Sequence, residues 1–521
     1  MADIVRGDPR GGRARRCARP AARLSPGPGQ ERNDSWATNP HARAPLSFNS
    51  APPTSDSSVK ESAMSVTSSS LSGSKYRRPP GPGKSLRSTL AFQRSPLTFL
   101  SRVIEEYGDI ISLDLLGMPV VVLNHPTHIE HVLKRHQRNF DRNGPVFTMA
   151  RSLFGDGLAT SARTGWLQRR RLLQPAFHRQ RIATFGELMI NSIESTLDSW
   201  EAVRAHGGTV DIRAEMNQLT LRIVVRALFG MDPADAMVTR FIEAATTSTR
   251  ELAAYMRFPL LPLSVPTPGH RRFHRSLRVL DEVAAEMIRR CRHDQDEGGS
   301  LLSMMMEARD ADTGESMTDK QLRDEVFTML FAGHETSANT LTWAWHLIGR
   351  HPEVGQRLRE EAERVLGGRR PTMDDLPQLR YTRHVIEETL RLYSPAWQNY
   401  RQTVMDDEID GYHIPSRTTV LWSYYFVHRH PDYWDDPERF DPDRFAERDS
   451  INGDHPGYFP FGAGPRICIG NTFAMAEMQF AIAMTLQRYR LVPVSQTAIE
   501  PEALLTLRTS WPVIVGLETN M

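Results

Sequence analysis

Cys468 lies in the run Phe461-Gly-Ala-Gly-Pro-Arg-Ile-Cys-Ile-Gly470, just before an amphipathic stretch from about Asn471 to Tyr489. Gly462, Gly464 and Gly470 permit positive φ and a tight backbone path. Pro465 stiffens it. Such a path aims several N–H groups at one sulfur. The start of the following helix adds positive potential there, and Arg466 adds a charge. All three effects favour a thiolate. A thiolate held this way is a metal ligand, and a good axial ligand for haem iron. Cys17 and Cys291 have no such surroundings and read as ordinary thiols.

A second set interrupts an apolar stretch. Gly333, His334, Glu335 and Thr336 follow Phe327-Thr-Met-Leu-Phe-Ala332. A mid-helix glycine costs about 1 kcal/mol relative to alanine. Buried polar groups cost more unless satisfied, and a threonine can bond back to the carbonyl four residues earlier. A purely structural helix gains nothing from these features. They suit a groove where the backbone approaches a ligand, lined by a hydroxyl and an acid. A zinc-protease reading of His334-Glu335 fails because it needs a second His four residues after the first, and position 338 is Ala.

The elements that carry these groups are readable. Thr318 and Gln321 form a T-x-x-Q capping box, and Pro352 ends the helix beyond Arg350. The implied helix of about 33 residues would span roughly 50 Å, enough to cross a large domain. Glu388 and Arg391 are three apart, and Trp166 and Arg170 four apart, so each pair shares a helix face. Arg169, Arg171, Arg179 and Arg181 form a basic run nearby, either a solvated face or a dock for an acidic partner. Strand-like runs occur at Ile110–Leu115 and Val120–Leu123 around a Gly-Met-Pro turn, and weakly at 402–420 and 504–515. The fold class is mainly α with a small β portion.

The whole chain narrows the class further. Its 521 residues are 40% apolar and 24% charged, with a net charge of +2, so nothing global calls for nucleic acid. Three scattered cysteines make neither a disulfide framework nor a structural zinc site, and suit a reducing compartment. No window approaches the roughly 18 consecutive apolar residues of a membrane span. A cytoplasmic monomer is the simplest expectation. Residues 1–78 are rich in Arg, Pro, Ser and Gly. They hold 13 of the 64 basic and 6 of the 62 acidic residues, leaving 51 and 56 for the remainder. Such a segment buries too little to offset its ordering entropy, so it reads as a disordered tail before a domain over 79–521. Met64 begins a plausible shorter chain.

Phe461-x-x-Gly464-x-Arg466-x-Cys468-x-Gly470 resembles the haem-binding signature of the cytochrome P450 family at every fixed position. Ala332-Gly333-x-Glu335-Thr336 looks like that family's oxygen-activating groove, Glu388-Thr-Leu-Arg391 like its E-x-x-R, and Trp166-x-x-x-Arg170 like its propionate contact. The resemblance covers roughly residues 80–521. It implies a P450-like fold with a long central helix over haem b, and Cys468 as axial ligand to the iron. It implies that Trp166, Arg170, Arg401 and Arg466 face the propionates, with Phe461 in the binding loop. Thr336, Glu335 and Gly333 would serve oxygen activation and proton delivery. Glu388 and Arg391, completed by Arg444 rather than Arg439, would hold the cysteine loop. The implied reaction is insertion of one oxygen atom of O2 into a C–H or C=C bond of an apolar small molecule. A terpene, fatty acid, steroid or polyketide would fit. Phe147, Met149, Leu153, Phe154, Met256, Phe258 and Trp397 are candidate pocket residues. Electrons would come from NAD(P)H through separate partners, a ferredoxin and its reductase or a flavodoxin-type donor. A peroxide-driven haem enzyme and a non-catalytic haem sensor are the alternatives.

Overall fold

The strand-like runs near residue 115 form a hairpin. Strands β2 (Ile110–Leu115) and β3 (Met118–Leu123) pair antiparallel, with Leu115 opposite Met118. The second strand starts two residues earlier than expected. The turn centres on Gly117, at φ +80°, whose N–H donates to Asp114 Oδ1 at 2.7 Å. This frees Met118 and Pro119 to join the ladder.

The computed structural model describes residues 77–115, 117–232, 234–257, 261–293, 299–310, 312–446, 455–494 and 498–519. The tail expected over 1–78 lies outside the described residues except for Arg77 and Arg78, as do Cys17, Met64 and Phe258. Arg77 is already engaged: its carbonyl accepts from the His413 amide at 2.9 Å, and its guanidinium lies 4.4 Å from the Tyr412 ring centroid.

The hairpin belongs to a six-stranded sheet. Its other strands are β1 (Gly83–Lys84), β4 (Phe140–Asp141), β5 (Gln398–Thr403) and β6 (Thr419–Ser423), in the order β1-β2-β3-β6-β5-β4. The register sets Asp141 opposite Gln402 and Arg401 opposite Val420. Residues about 260 positions apart are thereby brought to one edge.

The rest is mainly helical. Helix α1 spans Arg163–Leu173, α2 Ile212–Phe229, α3 Asp319–Arg350, α4 Arg380–Leu392 and α5 Asn471–Arg488. Thr318 caps α3 with the expected box, and the helix runs without interruption through Gly333 and Thr336. It buries Leu322, Val326, Leu330, Leu341 and Trp343, each contributing roughly 1.5–3 kcal/mol of transfer free energy. Gly333 lets α2 approach closely: a Cβ there would lie 2.9 Å from Val224 Cγ2.

Candidate functional site: a cysteine loop and its arginines

The cysteine loop is closed by a bond from the Cys468 amide to the Phe461 carbonyl at 2.9 Å. Gly462 and Gly464 take φ of +74° and +67°. At Gly464 a Cβ would lie 2.0 Å from the Leu133 carbonyl oxygen, so only glycine fits. Gly470 differs from expectation: its φ is −94°, and its contribution is its amide. It sits at the start of α5 with no side-chain cap.

Burial pushes the Cys468 thiol up, while the Gly470 amide and the Arg170 charge pull it down. Arg466 does not face the sulfur, contrary to the sequence expectation. Its guanidinium donates to Asp141 Oδ1 at 3.1 Å and to the Ser161 carbonyl at 3.0 Å, and lies 4.5 Å from the Trp166 ring centroid. Arg170 takes that place, donating to the Ile467 carbonyl at 2.8 Å. The Asp141 carboxylate decided between the two by drawing Arg466 away from the sulfur. Cys468 is solvent-accessible although it lies deep in the chain. On balance burial favours the neutral thiol, and a bound cation would favour the thiolate.

A second feature adjoins the loop. Arg142, Arg401 and Arg466 are enclosed together with one carboxylate, Asp141. Burial holds Arg401 and Arg466 down to about 10, and Arg401 further depresses Arg466. Arg142 is lowered well below its usual range by burial and by both neighbours. Three guanidiniums facing one carboxylate leave buried positive charge uncompensated, which is costly unless anions join them. Arg142 was not singled out from the sequence. Its run, Phe140-Asp-Arg-Asn143, carries no local signal, since the pairing of β4 with β5 alone brings it to Arg401.

On α3, Ala332 is exposed amid buried helix, and Phe331 and Gly333–Thr336 are half-buried. Thr336 Oγ1 donates to the Ala332 carbonyl at 2.5 Å. Glu335 turns toward the C-terminal strands and accepts from Thr506 Oγ1 at 2.9 Å, and Asn339 also donates to Thr506 Oγ1. Burial pushes the Glu335 carboxyl up. His334 is held neutral by burial, at about 4.

Behind the loop, Arg391 grips Glu388 with two bonds of 2.7 and 2.8 Å, both side chains being fully buried. Its remaining N–H groups donate to the carbonyls of His428, Pro437 and Arg439. Arg444 Nε lies 3.5 Å from Glu388 Oε1. The Arg439 side chain instead turns outward, to Asp441 and Asp436. His428 Nε2 accepts from the Phe459 amide at 2.8 Å, and Tyr458 Oη donates to the Glu387 carbonyl at 2.8 Å. These bonds tie α4 to the segment entering the cysteine loop.

The Cytochrome P450 family model matches residues 79–512. The chain belongs to the cytochrome P450 family. A cyclooctat-9-en-7-ol 5-monooxygenase of Streptomyces melanosporofaciens is 37% identical to this P450 over 428 residues, which cover 81% of this chain and 90% of that one. A pentalenene oxygenase of Streptomyces avermitilis is 35% identical over 415 residues, covering 80% and 91%. A crystal structure of the cytochrome P450DA heme domain superposes with a TM-score of 0.78 at 26% identity, covering 86% of this chain and 98% of that one. This P450 is a mono-oxygenase, an oxidoreductase whose cofactor is haem b and whose electrons come from NAD(P)H through redox partners. The residues present fit that cofactor: haem carries two anionic propionates, and the Arg142, Arg401 and Arg466 cluster has only the Asp141 carboxylate against three guanidiniums. Among the described residues no helix is long and apolar enough to cross a membrane.

The remaining expected residues divide. Phe147 and Leu153 are buried, and Phe154 contacts Phe331 of α3 with ring centroids 5.1 Å apart. Met256 and Trp397 line a cleft of about 160 Å³ with Phe92, Tyr400 and Leu504. Met149 is half-buried. The basic run does not stay together. Arg169 is buried against Glu325 at 3.3 Å, and Arg171 pairs with Asp310 and Asp312. Arg179 and Arg181 are exposed.

Proposed function

We propose that this P450 oxygenates a cyclic terpene or similar apolar carbon skeleton, with Cys468 as axial ligand to the haem iron. The substrate class rests on the names of the two Streptomyces relatives and on the apolar cleft at Met256 and Trp397. The haem site rests on one observation, the uncompensated guanidiniums of Arg142, Arg401 and Arg466 beside the cysteine loop. These three, with Trp166 and Arg170, would hold the propionates, and the Phe461 carbonyl closes the loop that carries Cys468. Bound haem supplies the capacity to activate dioxygen. The chain's own groups handle protons and position. Thr336 presents a hydroxyl on the half-buried stretch of α3. Burial makes Glu335 keep a proton on its carboxyl more readily than an exposed acid, while the Thr506 hydroxyl that donates to it favours its release. Glu388, Arg391 and Arg444 hold the segment entering the loop through His428.

The catalytic domain spans 79–521 and acts as a cytoplasmic monomer served by a ferredoxin and its reductase or a flavodoxin-type donor. Arg179 and Arg380, with Asp374 beside them, line an open cleft at the start of α5, a dock for an acidic donor. High salt should slow reduction there.

The test is the absorption spectrum of the dithionite-reduced, carbon-monoxide-bound protein. The strongly red-shifted Soret band of thiolate ligation is expected in the native chain and absent in Cys468→His. A panel of cyclic terpenes, fatty acids and steroids is then screened by spin-state shift, and only the terpenes should respond. Thr336→Ala should keep the haem and divert reducing equivalents to peroxide. Full coupling in that variant overturns the role of Thr336.

A further inference from the structure

Away from the cysteine loop, the end of the β2–β3 hairpin meets a segment some 300 residues later. His125 follows β3, and His430 and Asp432 follow the short helix Tyr424–Val427. His125 Nε2 lies 3.7 Å and His430 Nδ1 4.0 Å from the same atom, Asp432 Oδ2. The three ligand atoms lie within 4.8 Å of one another. The two rings stand at 80°, so their in-plane lone pairs come from different directions rather than side by side.

The opposite ring nitrogens are already engaged. His430 Nε2 is 3.4 Å from Asp109 Oδ1, and His125 Nδ1 is 2.7 Å from Thr127 Oγ1. Asn124 Nδ2 in turn donates to Asp109 Oδ1 at 3.1 Å. His430 is oriented as metal-bound histidines are, by a carboxylate on its far nitrogen; at His125 the Thr127 amide also donates to Nδ1, at 3.3 Å, a long contact that metal binding at Nε2 would replace. The Asp432 amide lies 3.3 Å from His430 Nδ1, a long contact that a cation would replace. Tetrahedral zinc with bonds of about 2.0–2.2 Å sets its ligands roughly 3.3–3.5 Å apart. The two contacts to Asp432 need to close by about half an ångström, and the two histidine nitrogens, within 4.8 Å of each other, by at most about 1.5 Å. Asp432 is two-thirds exposed, so water can reach the fourth position.

We propose that His125, His430 and Asp432 bind a divalent transition cation of the zinc class. The ion would clamp the hairpin to the segment that contains His428, and through the Phe459 amide to the approach of the cysteine loop. A second group, His131, His136 and Asp407, is less suited. Its rings stack nearly parallel with centroids 4.0 Å apart, and Asp407 is already bonded to His131 and Asn139.

The test uses the full-length holoenzyme, stripped with chelator and titrated with zinc chloride by calorimetry. One saturable zinc per haem is expected, with a Tm that rises with zinc concentration. His125→Gln and Asp432→Asn should each weaken binding at least tenfold, and Asp109→Asn about 10- to 100-fold. His136→Ala should leave it unchanged. The carbon-monoxide spectrum without zinc checks that each variant is folded. The proposal is overturned if no saturable binding occurs, if both His125→Gln and Asp432→Asn bind as the native protein does, or if His136→Ala abolishes binding.

Discussion

Arg391 and Arg401 are both buried, at 0% and 4% exposure, and lie ten positions apart in the chain, yet their surroundings are opposite. Arg391 has a bidentate carboxylate and three carbonyls, so its charge and its donors are all met. Among the described residues Arg401 donates to Asn399 Oδ1 and the Tyr400 carbonyl, and it shares the single carboxylate of Asp141 with its neighbours Arg142 and Arg466. A closed network holds structure. An open one with surplus charge is built for a ligand that brings the missing anions.

The comparison breaks first at Glu388. Glu388→Ala leaves Arg391 buried and unpaired, which should cost about 3–5 kcal/mol. Urea denaturation should show that loss, together with loss of bound haem. Native-like stability in this variant would mean that the network is not closed in the way the geometry indicates.

Arg401→Ala tests the other half and should move the opposite way. Removing one of three crowded guanidiniums should leave the haem-free protein as stable or more so. Haem affinity should fall about 10- to 100-fold, the worth of a charged hydrogen bond. Haem transfer to apomyoglobin reads the affinity, and thermal melting of the apoprotein reads the stability. A destabilised apoprotein would place Arg401 in the same class as Arg391.

The closed network should also impose a pH dependence. Burial holds His428 neutral, down to about 3, against about 6.5 in an unfolded chain. Its contribution is fully present above pH 6.5. As pH falls toward 3, the unfolded state takes up a proton that the folded state refuses, and stability declines by up to about 1.4 kcal/mol per pH unit. His428→Gln, which still accepts from the Phe459 amide, should flatten that slope in urea melts between pH 6.5 and 4.

The smallest effect is expected at Arg439. Its side chain is 60% exposed, against 12% for Arg444. Arg439→Ala should change stability by less than about 0.5 kcal/mol, while Arg444→Ala, which removes a cation from Glu388, should cost more. Equal effects in parallel melts would erase the distinction between them.

The legible parts of the site were those built from neighbours in sequence. The Thr318 box, the Glu388–Arg391 spacing and the glycines around Cys468 depend on contacts within a few residues. The hairpin was legible too, although its second strand started at Met118 because the tight turn needs only Gly117 at positive φ. Arg142 was missed because nothing near it in sequence distinguishes it from an ordinary surface arginine. The exchange of Arg466 for Arg170 beside the sulfur was missed for a related reason: spacing gives a helix face, but not which of two long side chains a neighbouring carboxylate draws away.

The sequence by itself therefore determined the cysteine loop, the central helix with its polar interruption and the mainly helical class, because local backbone sterics and hydrophobic period govern each. Only the tertiary structure decided which charges are closed and which are open. Strand pairing set Asp141 opposite Gln402 and gathered Arg142, Arg401 and Arg466 around a single carboxylate. It also decided that His125 faces His430 and Asp432. Electrostatic energy depends on distance and burial, and neither is written in the order of the residues.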